Sequence, residues 1–113
     1  CDTGHNREGL EYVIRQTEKL EAARKHFVIG FSGDKDLSLV LPLFPVNADY
    51  YFTRASVPRA LDEKLLQREA LKYGLRGECY SGVDDALQSA LKNASADDLI
   101  FIGGSTFVVA EVL

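Results

Sequence analysis

Residues 26–36 read HFVIGFSGDKD, an apolar run that passes abruptly into a polar loop. The apolar part, Phe27 to Phe31, shows no polar alternation, which is typical of a strand covered on both faces. Gly33 permits a tight turn just after this run, because glycine has no Cβ to restrict the backbone. The stretch therefore predicts a buried strand with a polar loop at its carboxyl end.

Similar strand-like runs alternate with helix-like segments along the rest of the chain. Further strands are predicted in ADYYFTRAS (48–56), in GECYSG (77–82) and from Leu99 to Ile102. Helices are predicted at 7–24, 37–44, 61–75 and 83–94, and a last apolar helix is predicted after the double glycine 103–104. Strands that alternate with helices are joined by right-handed crossovers. We therefore expect an open, mainly parallel α/β sheet with helices on both faces.

Size and composition indicate a single globular domain that spans residues 1–113. The chain has 113 residues, of which 46% are hydrophobic and 27% are charged, a balance typical of a folded domain. Its formal charge is -4 and no Lys/Arg cluster is present, so nucleic acid is not an expected partner. We find neither a membrane-span-like run nor a signal-peptide pattern, and we expect a cytoplasmic protein that makes no membrane contact.

The few cysteines and histidines predict no metal site. Cys1 and Cys79 are far apart in sequence, and neither belongs to a C-x-x-C pair. His5 and His26 stand apart from other metal-ligand residues at recognisable spacing. We therefore expect two reduced thiols and no dedicated metal cage.

Three polar loops are candidate binding loops: DTGHN (2–6), SGDKD (32–36) and GGST (103–106). Ligands of open α/β sheets bind at the carboxyl ends of the strands, so we expect these loops to converge there. Asp2 is a candidate ligand of a polyol such as ribose, with His5 and Asn6 beside a phosphate or a reacting group. The alternative is that these residues only turn the chain into the first helix.

The other two loops also have both a functional and a structural interpretation. Lys35 can bind a carboxylate as a point charge, or it belongs to a solvated cluster in which Asp36 caps the next helix. Ser105 and Thr106 can help to seat an anion at the N-terminus of the predicted last helix, or they only cap that helix. Arg54 and Arg59 follow the second strand. We find no phosphate loop, nucleophile elbow or dinucleotide fingerprint, so residue patterns alone predict an anion-binding domain.

The order of the motifs adds a family resemblance that covers nearly the whole chain. DTGHN, SGDKD, RASVPRALDEKLL and DDLIFIGGSTFVVAEVL together resemble the Rossmann-like C-terminal domain of the Mur ligase superfamily, and most of all its folylpolyglutamate synthase/dihydrofolate synthase branch. The resemblance implies an ATP-dependent ligase that uses Mg²⁺ and activates an acid as an acyl phosphate. The amine of L-glutamate then attacks, and the acid is dihydropteroate or a folate.

The resemblance also implies residue roles. Asp2, His5 and Asn6 correspond to nucleotide-binding positions, with Asp2 on the ribose and His5 as a catalytic residue that faces the reacting phosphate or the amino acid. Lys35 and Ser105 correspond to positions that hold the carboxylate of the incoming glutamate. Arg7 departs from the family pattern, which often has a proline after the asparagine.

The same resemblance implies that part of the active site lies elsewhere. The phosphate loop and the magnesium ligands belong to the family's central domain, with which this domain would close over the nucleotide. We therefore expect an excised fragment that is inactive by itself. Two alternatives stay open: the C-terminal domain of a peptidoglycan-precursor Mur ligase, and a non-catalytic α/β binding module.

Overall fold

Three helices and five strands can be followed in the computed structural model, which describes residues 11–12, 14–16, 24–33, 36–54, 58–104 and 108–112. Residues 11–12 and 14–16 are helical and lie within the predicted first helix. The strands are β1 (Lys25–Gly30), β2 (Asp49–Thr53), β3 (Gly77–Tyr80), β4 (Leu99–Gly104) and β5 (Val108–Val112). The helices are α1 (Leu37–Val40), which runs into a 3-10 turn (Leu41–Leu43), α2 (Glu63–Leu71) and α3 (Val83–Asn93).

The five strands form one sheet in the order β3-β2-β1-β4-β5. The first four strands are parallel, and β5 is antiparallel to β4. Two separate apolar layers cover the two faces of the sheet. One layer packs Phe27 and Phe52 against Leu66 of α2, and the other packs Val28 and Tyr51 of the sheet with Ala86 of α3. The predicted fold, an open and mainly parallel α/β sheet with helices on both faces, is confirmed.

Residues 108–112 form a strand, and the helix predicted there is wrong. Residues 108–112 pair with β4 in the register Gly103 to Val108 and Leu99 to Val112. The segment VVAEV is rich in β-branched valine, which favours strands, and a strand here supplies hydrogen-bond partners to the free edge of β4. The expected anion seat at the N-terminus of a last helix is therefore also wrong.

Local signals in the sequence explain where several elements begin and end. The carboxylate of Asp36 accepts a hydrogen bond from the backbone N–H of Ser38 at 3.0 Å and so caps α1, as one of its two interpretations predicted. Asp62 caps α2 in the same way. Gly74 ends that segment with a φ of 81°, in the left-handed region that favours glycine. Among the described residues we find no helix long and apolar enough to cross a membrane.

Candidate functional site

The order in which the chain adds strands to the sheet reverses between β1 and β4. From β1 the chain adds β2 and then β3 on one side, and the crossover through α3 brings it back to β4 on the other side of β1. Such a switch point leaves a crevice outside the carboxyl ends of the two strands, and ligands of open α/β sheets bind there. The strand order therefore locates the candidate site at the ends of β1 and β4.

Small residues form a row across the carboxyl ends of the strands, which we call the carboxyl edge of the sheet. Gly30 at the end of β1 pairs with Gly104 at the end of β4. Because Ile29 pairs with Phe52, the next position of β2, Thr53, lies beside Gly30. A row of two glycines and a threonine leaves room for a ligand to approach the backbone closely.

Thr53 contributes a polar atom to this row that lacks a partner. Its side chain is 1% exposed, and its Oγ1 is the buried side-chain oxygen or nitrogen left without a hydrogen bond among the described residues. Side chains alternate along a strand, so Thr53 faces the same side as Tyr51, the side covered by α3. Since most buried polar groups in folded proteins are paired, an unpaired hydroxyl at a switch point fits a site that a ligand completes.

The segments beside the row are fastened by hydrogen bonds and ion pairs. The N–H of Gly33 donates to the carbonyl of Arg59, and the N–H of Leu61 donates to the carbonyl of Phe31 at 2.9 Å. These bonds join the chain that leaves β1 to the chain that enters α2. The binding loops at this edge therefore start from a fixed base.

Arg54, at the end of β2, is engaged in ion pairs. Its guanidinium donates to Asp62 and to Glu63, each at 3.2 Å. The hydrogen bond with Asp62 and the charge of Glu63 raise the pKa of Arg54. The pKa of Asp62 is lowered, first because its carboxylate accepts the backbone N–H of Lys64 and further because of the Arg54 pair. Arg54 therefore stabilises the entry into α2 and is less available to an anionic ligand than its position in the sequence predicts.

The site residues predicted from the sequence lie outside the described residues. These are Asp2, His5, Asn6, Lys35 and Ser105. Their flanking strands are described: β1 ends before the loop that holds Lys35, and β4 ends before Ser105. Because β1 and β4 are parallel neighbours, the chain leaves both strands at the same edge. The roles of the five residues stay predictions.

A polar cluster at the amino ends of the strands was missed by the sequence reasoning, which treated His26 as isolated. His26 is 1% exposed, and its Nε2–H donates to the carboxylate of Asp98 at 2.9 Å. Its Nδ1 and the hydroxyl of Tyr51 are hydrogen-bonded at 3.0 Å, and that hydroxyl accepts from the Nδ2 of Asn93 at 3.3 Å. We call these four residues the amino-edge network.

Asp98 also connects this network to the turn before β4. Its carboxylate accepts the backbone N–H of Ser95 at 3.0 Å, and this bond together with the His26 bond lowers the pKa of Asp98. No apolar-periodicity argument could have found the pair, because His26 and Asp98 are 72 positions apart in sequence. The signal that could have found it is a buried histidine at the start of one strand and an acid immediately before the adjacent strand.

Comparison with known proteins identifies the family. The family model described as "Mur ligase, glutamate ligase domain" matches residues 1–106. The dihydrofolate synthase/folylpolyglutamate synthase of Escherichia coli is 31% identical over 115 residues, which cover 99% of this chain and 26% of that protein. The UDP-N-acetylmuramoyl-L-alanyl-D-glutamate–2,6-diaminopimelate ligase of Caldanaerobacter subterraneus is 28% identical over 119 residues, which cover 99% of this chain and 25% of that protein.

A solved structure agrees with the sequence comparisons. The folylpolyglutamate synthase of Mycobacterium tuberculosis, complexed with ADP and AMPPCP, superposes with a TM-score of 0.73 at 26% identity and covers 88% of this chain and 25% of that one. The chain thus spans about a quarter of the length of the relatives it matches. It belongs to the Mur ligase family and corresponds to the C-terminal glutamate ligase domain of these ligases.

Proposed function

We propose that this domain closes over ATP in a ligase that adds L-glutamate to dihydropteroate or to a folate. The observation that carries the proposal is the coincidence of the family match with the row of small residues beside the switch point, in which Thr53 Oγ1 lacks a partner. The name of the Escherichia coli relative supports the folate branch. The nucleotide complex of the Mycobacterium tuberculosis relative supports ATP as the second substrate.

The chemistry makes clear why such a domain is needed. The acid takes the terminal phosphate of ATP to give an acyl phosphate, and the amine of glutamate then displaces that phosphate to form the amide. Water would hydrolyse the acyl phosphate, so the site must exclude water and hold both reactants in position. A small domain that closes over the nucleotide with polar loops at one sheet edge meets both needs.

The proposed division of roles follows the predicted loops. Asp2 binds the ribose, with Asn6 beside the nucleotide, and His5 faces the reacting phosphate. Lys35 and Ser105 bind the carboxylate of the incoming glutamate. The hydroxyl of Thr53 gives the ligand a further hydrogen bond from the floor of the crevice.

Magnesium does not fit the described residues as a resident ion. Among them we find no group of three histidine, cysteine or acidic side chains that could hold a metal. The family resemblance implies that the metal ligands belong to another domain of the ligase. We therefore assign Mg²⁺ to the proposed full-length ligase and derive no step through it from this domain.

Replacement of Lys35 by alanine tests the glutamate role. In the protein that carries this chain, Lys35→Ala should raise the apparent KM for glutamate by about tenfold to hundredfold, because a charge-assisted contact to a carboxylate is lost. Lys92→Ala, which removes an exposed lysine near the end of α3, is the matched control and should leave that KM unchanged. Equal glutamate kinetics in Lys35→Ala and the unsubstituted protein would remove the carboxylate role.

The ribose role of Asp2 is tested in the same assay. Asp2→Ala should raise the apparent KM for ATP by about tenfold, since a carboxylate that accepts from a ribose hydroxyl is lost. The KM for glutamate should stay constant. Unchanged ATP kinetics would contradict the assignment.

A second candidate is a peptidoglycan-precursor ligase, which the match to the diaminopimelate ligase supports. Release of phosphate from ATP distinguishes the two candidates when the protein is supplied either with dihydropteroate and glutamate or with a muramoyl dipeptide nucleotide and diaminopimelate. Turnover with the first pair supports the proposed function. Turnover with the second pair alone would replace it.

A further inference from the structure

A groove of about 580 Å³ lies between α2 and the edge strand β3, away from the switch point. Its charged lining consists of Lys64 and Arg68 from α2, and Arg76 and Glu78 beside or within β3. The groove therefore carries three cations and one anion in a chain whose formal charge is -4. This local excess of positive charge is the opposite of what the whole chain would predict.

The three cations have no partners within the described part of the chain. The ion pairs there engage other residues close to α2: Lys72 donates to Glu69 at 3.0 Å, and Arg54 pairs with Asp62 and Glu63. None of the hydrogen bonds or ion pairs among the described residues involves the side chain of Lys64, Arg68 or Arg76. The ion pairs near α2 therefore leave the three cations of the groove without partners.

The stability of α2 explains only part of the arrangement. Lys64 lies in the first turn of the helix, where the helix dipole disfavours a cation. Lys64 and Arg68 are four residues apart on one face, and like charges at that spacing repel each other. Arg68 lies in the last turn, where the dipole favours a cation, so the helix accounts for Arg68 but not for Lys64. A ligand that neutralises both charges removes the repulsion between them.

The lining of the groove favours an anion that has apolar stretches and is held by side chains. Its floor includes Leu75, which is buried, and its rim includes Leu71, which is 56% exposed, so apolar stretches of a ligand also find contacts. The side-chain amide of Gln67 donates to the carbonyl of Gly77 at 2.6 Å at the start of β3. This bond occupies a backbone acceptor that an added β-strand would need.

We propose that this groove binds the oligoglutamate chain of the ligase product. Each added glutamate contributes one carboxylate along a flexible aliphatic chain, which matches a groove lined by unpaired cations and by leucine side chains. Lysine contributes a point charge and arginine contributes paired donors to a carboxylate. The inference rests on the proposed addition of glutamate, and it adds to that function a site that holds the growing product.

The test is an equilibrium titration of the 113-residue chain with γ-linked triglutamate, in which calorimetry measures the binding. The double variant Lys64→Gln/Arg68→Gln should weaken binding by at least about tenfold, since two charge-assisted contacts are lost. Both side chains are exposed, so their replacement should leave the fold intact. The control Lys72→Gln/Lys92→Gln removes the same charge from exposed positions outside the groove and should change binding by less than about twofold.

Glu78→Gln supplies a test in the opposite direction. It removes the one carboxylate among the described lining residues, and binding of triglutamate should therefore tighten. A triglutamate whose carboxylates are amidated should not bind. Absence of triglutamate binding, or equal weakening by the groove and control double variants, would overturn the proposal.

The titration needs no turnover, which separates it from the proposed function. If the protein that carries this chain ligates glutamate while triglutamate fails to bind the groove, the groove proposal alone fails. If triglutamate binds as described while the ligase assay shows another amino acid as substrate, the proposed function fails and the groove keeps its anion specificity.

Discussion

The amino and carboxyl edges of the sheet differ in whether their polar side chains have hydrogen-bond partners. At the amino edge, the buried His26, Asp98 and Tyr51 and the exposed Asn93 satisfy one another in a hydrogen-bond network. At the carboxyl edge, Thr53 is as deeply buried as His26 but has an unpaired hydroxyl beside two glycines. The difference teaches that burial of a polar group does not by itself indicate its role. A group paired within the domain supports the fold, whereas an unpaired group at a switch point is available to a ligand.

The largest expected effect comes from breaking the amino-edge network. His26→Ala should lower the free energy of unfolding by about 3 kcal/mol, because it leaves a cavity and removes a donor from the buried Asp98. Urea unfolding monitored by circular dichroism measures the loss. Nucleotide and glutamate affinities of the folded variant should stay the same, since this edge does not belong to the proposed site. A change of less than about 0.5 kcal/mol would show that the network does not support the fold.

A smaller effect is expected in acid, because the pKa of Asp98 is lowered in the folded state. A carboxyl group with a lowered folded pKa contributes stability that is fully present above its unfolded pKa of about 3.9 and is lost as the pH falls through the folded pKa. The difference in urea midpoint between the unsubstituted chain and Asp98→Asn should therefore be constant near neutral pH and shrink below about pH 4. A difference that stays constant down to pH 2 would contradict the role assigned to the Asp98 carboxylate.

The smallest effect on stability is expected at the carboxyl edge. Thr53→Val replaces an unpaired hydroxyl by a methyl group of similar size, and the free energy of unfolding should change by no more than about 0.5 kcal/mol or even rise. The apparent KM for ATP in the protein that carries this chain should rise by about threefold to tenfold, because one hydrogen bond to the ligand is lost. Thr53→Ser keeps the hydroxyl and should restore the KM. Loss of stability in Thr53→Val without a change in KM would reverse the roles of the two edges.

The fold was largely predictable because local patterns determine most of its elements. The apolar run 27–31 and the helical spacing in 61–75 and 83–94 report burial directly, and alternating strands and helices lead to a parallel sheet. The strand at 108–112 was mistaken for a helix because a short apolar run fits both structures. What decides between them is the free edge of β4, which the local sequence does not show.

The site was only partly predictable for a related reason. The loops that follow β1 and β4 could be proposed from their polar residues and from the rule that ligands bind at the carboxyl ends of strands. The row formed by Thr53, Gly30 and Gly104 depends on strand register, which brings together residues from distant parts of the chain. The His26–Asp98 pair depends on register in the same way. Spacing along the sequence therefore shows which loops are polar but not which of their neighbours are left unpaired.

Amide hydrogen exchange in the protein that carries this chain, with and without a non-hydrolysable ATP analogue, magnesium and glutamate, tests the central claim most directly. With exchange resolved amide by amide by NMR, the account predicts slower exchange at the amides of Gly30 and Gly104 and unchanged exchange at the amides of His26 and Asp98 at the starts of the strands. Slower exchange confined to the amides of His26 and Asp98 would contradict it, because the ligand would then bind at the edge assigned to the fold.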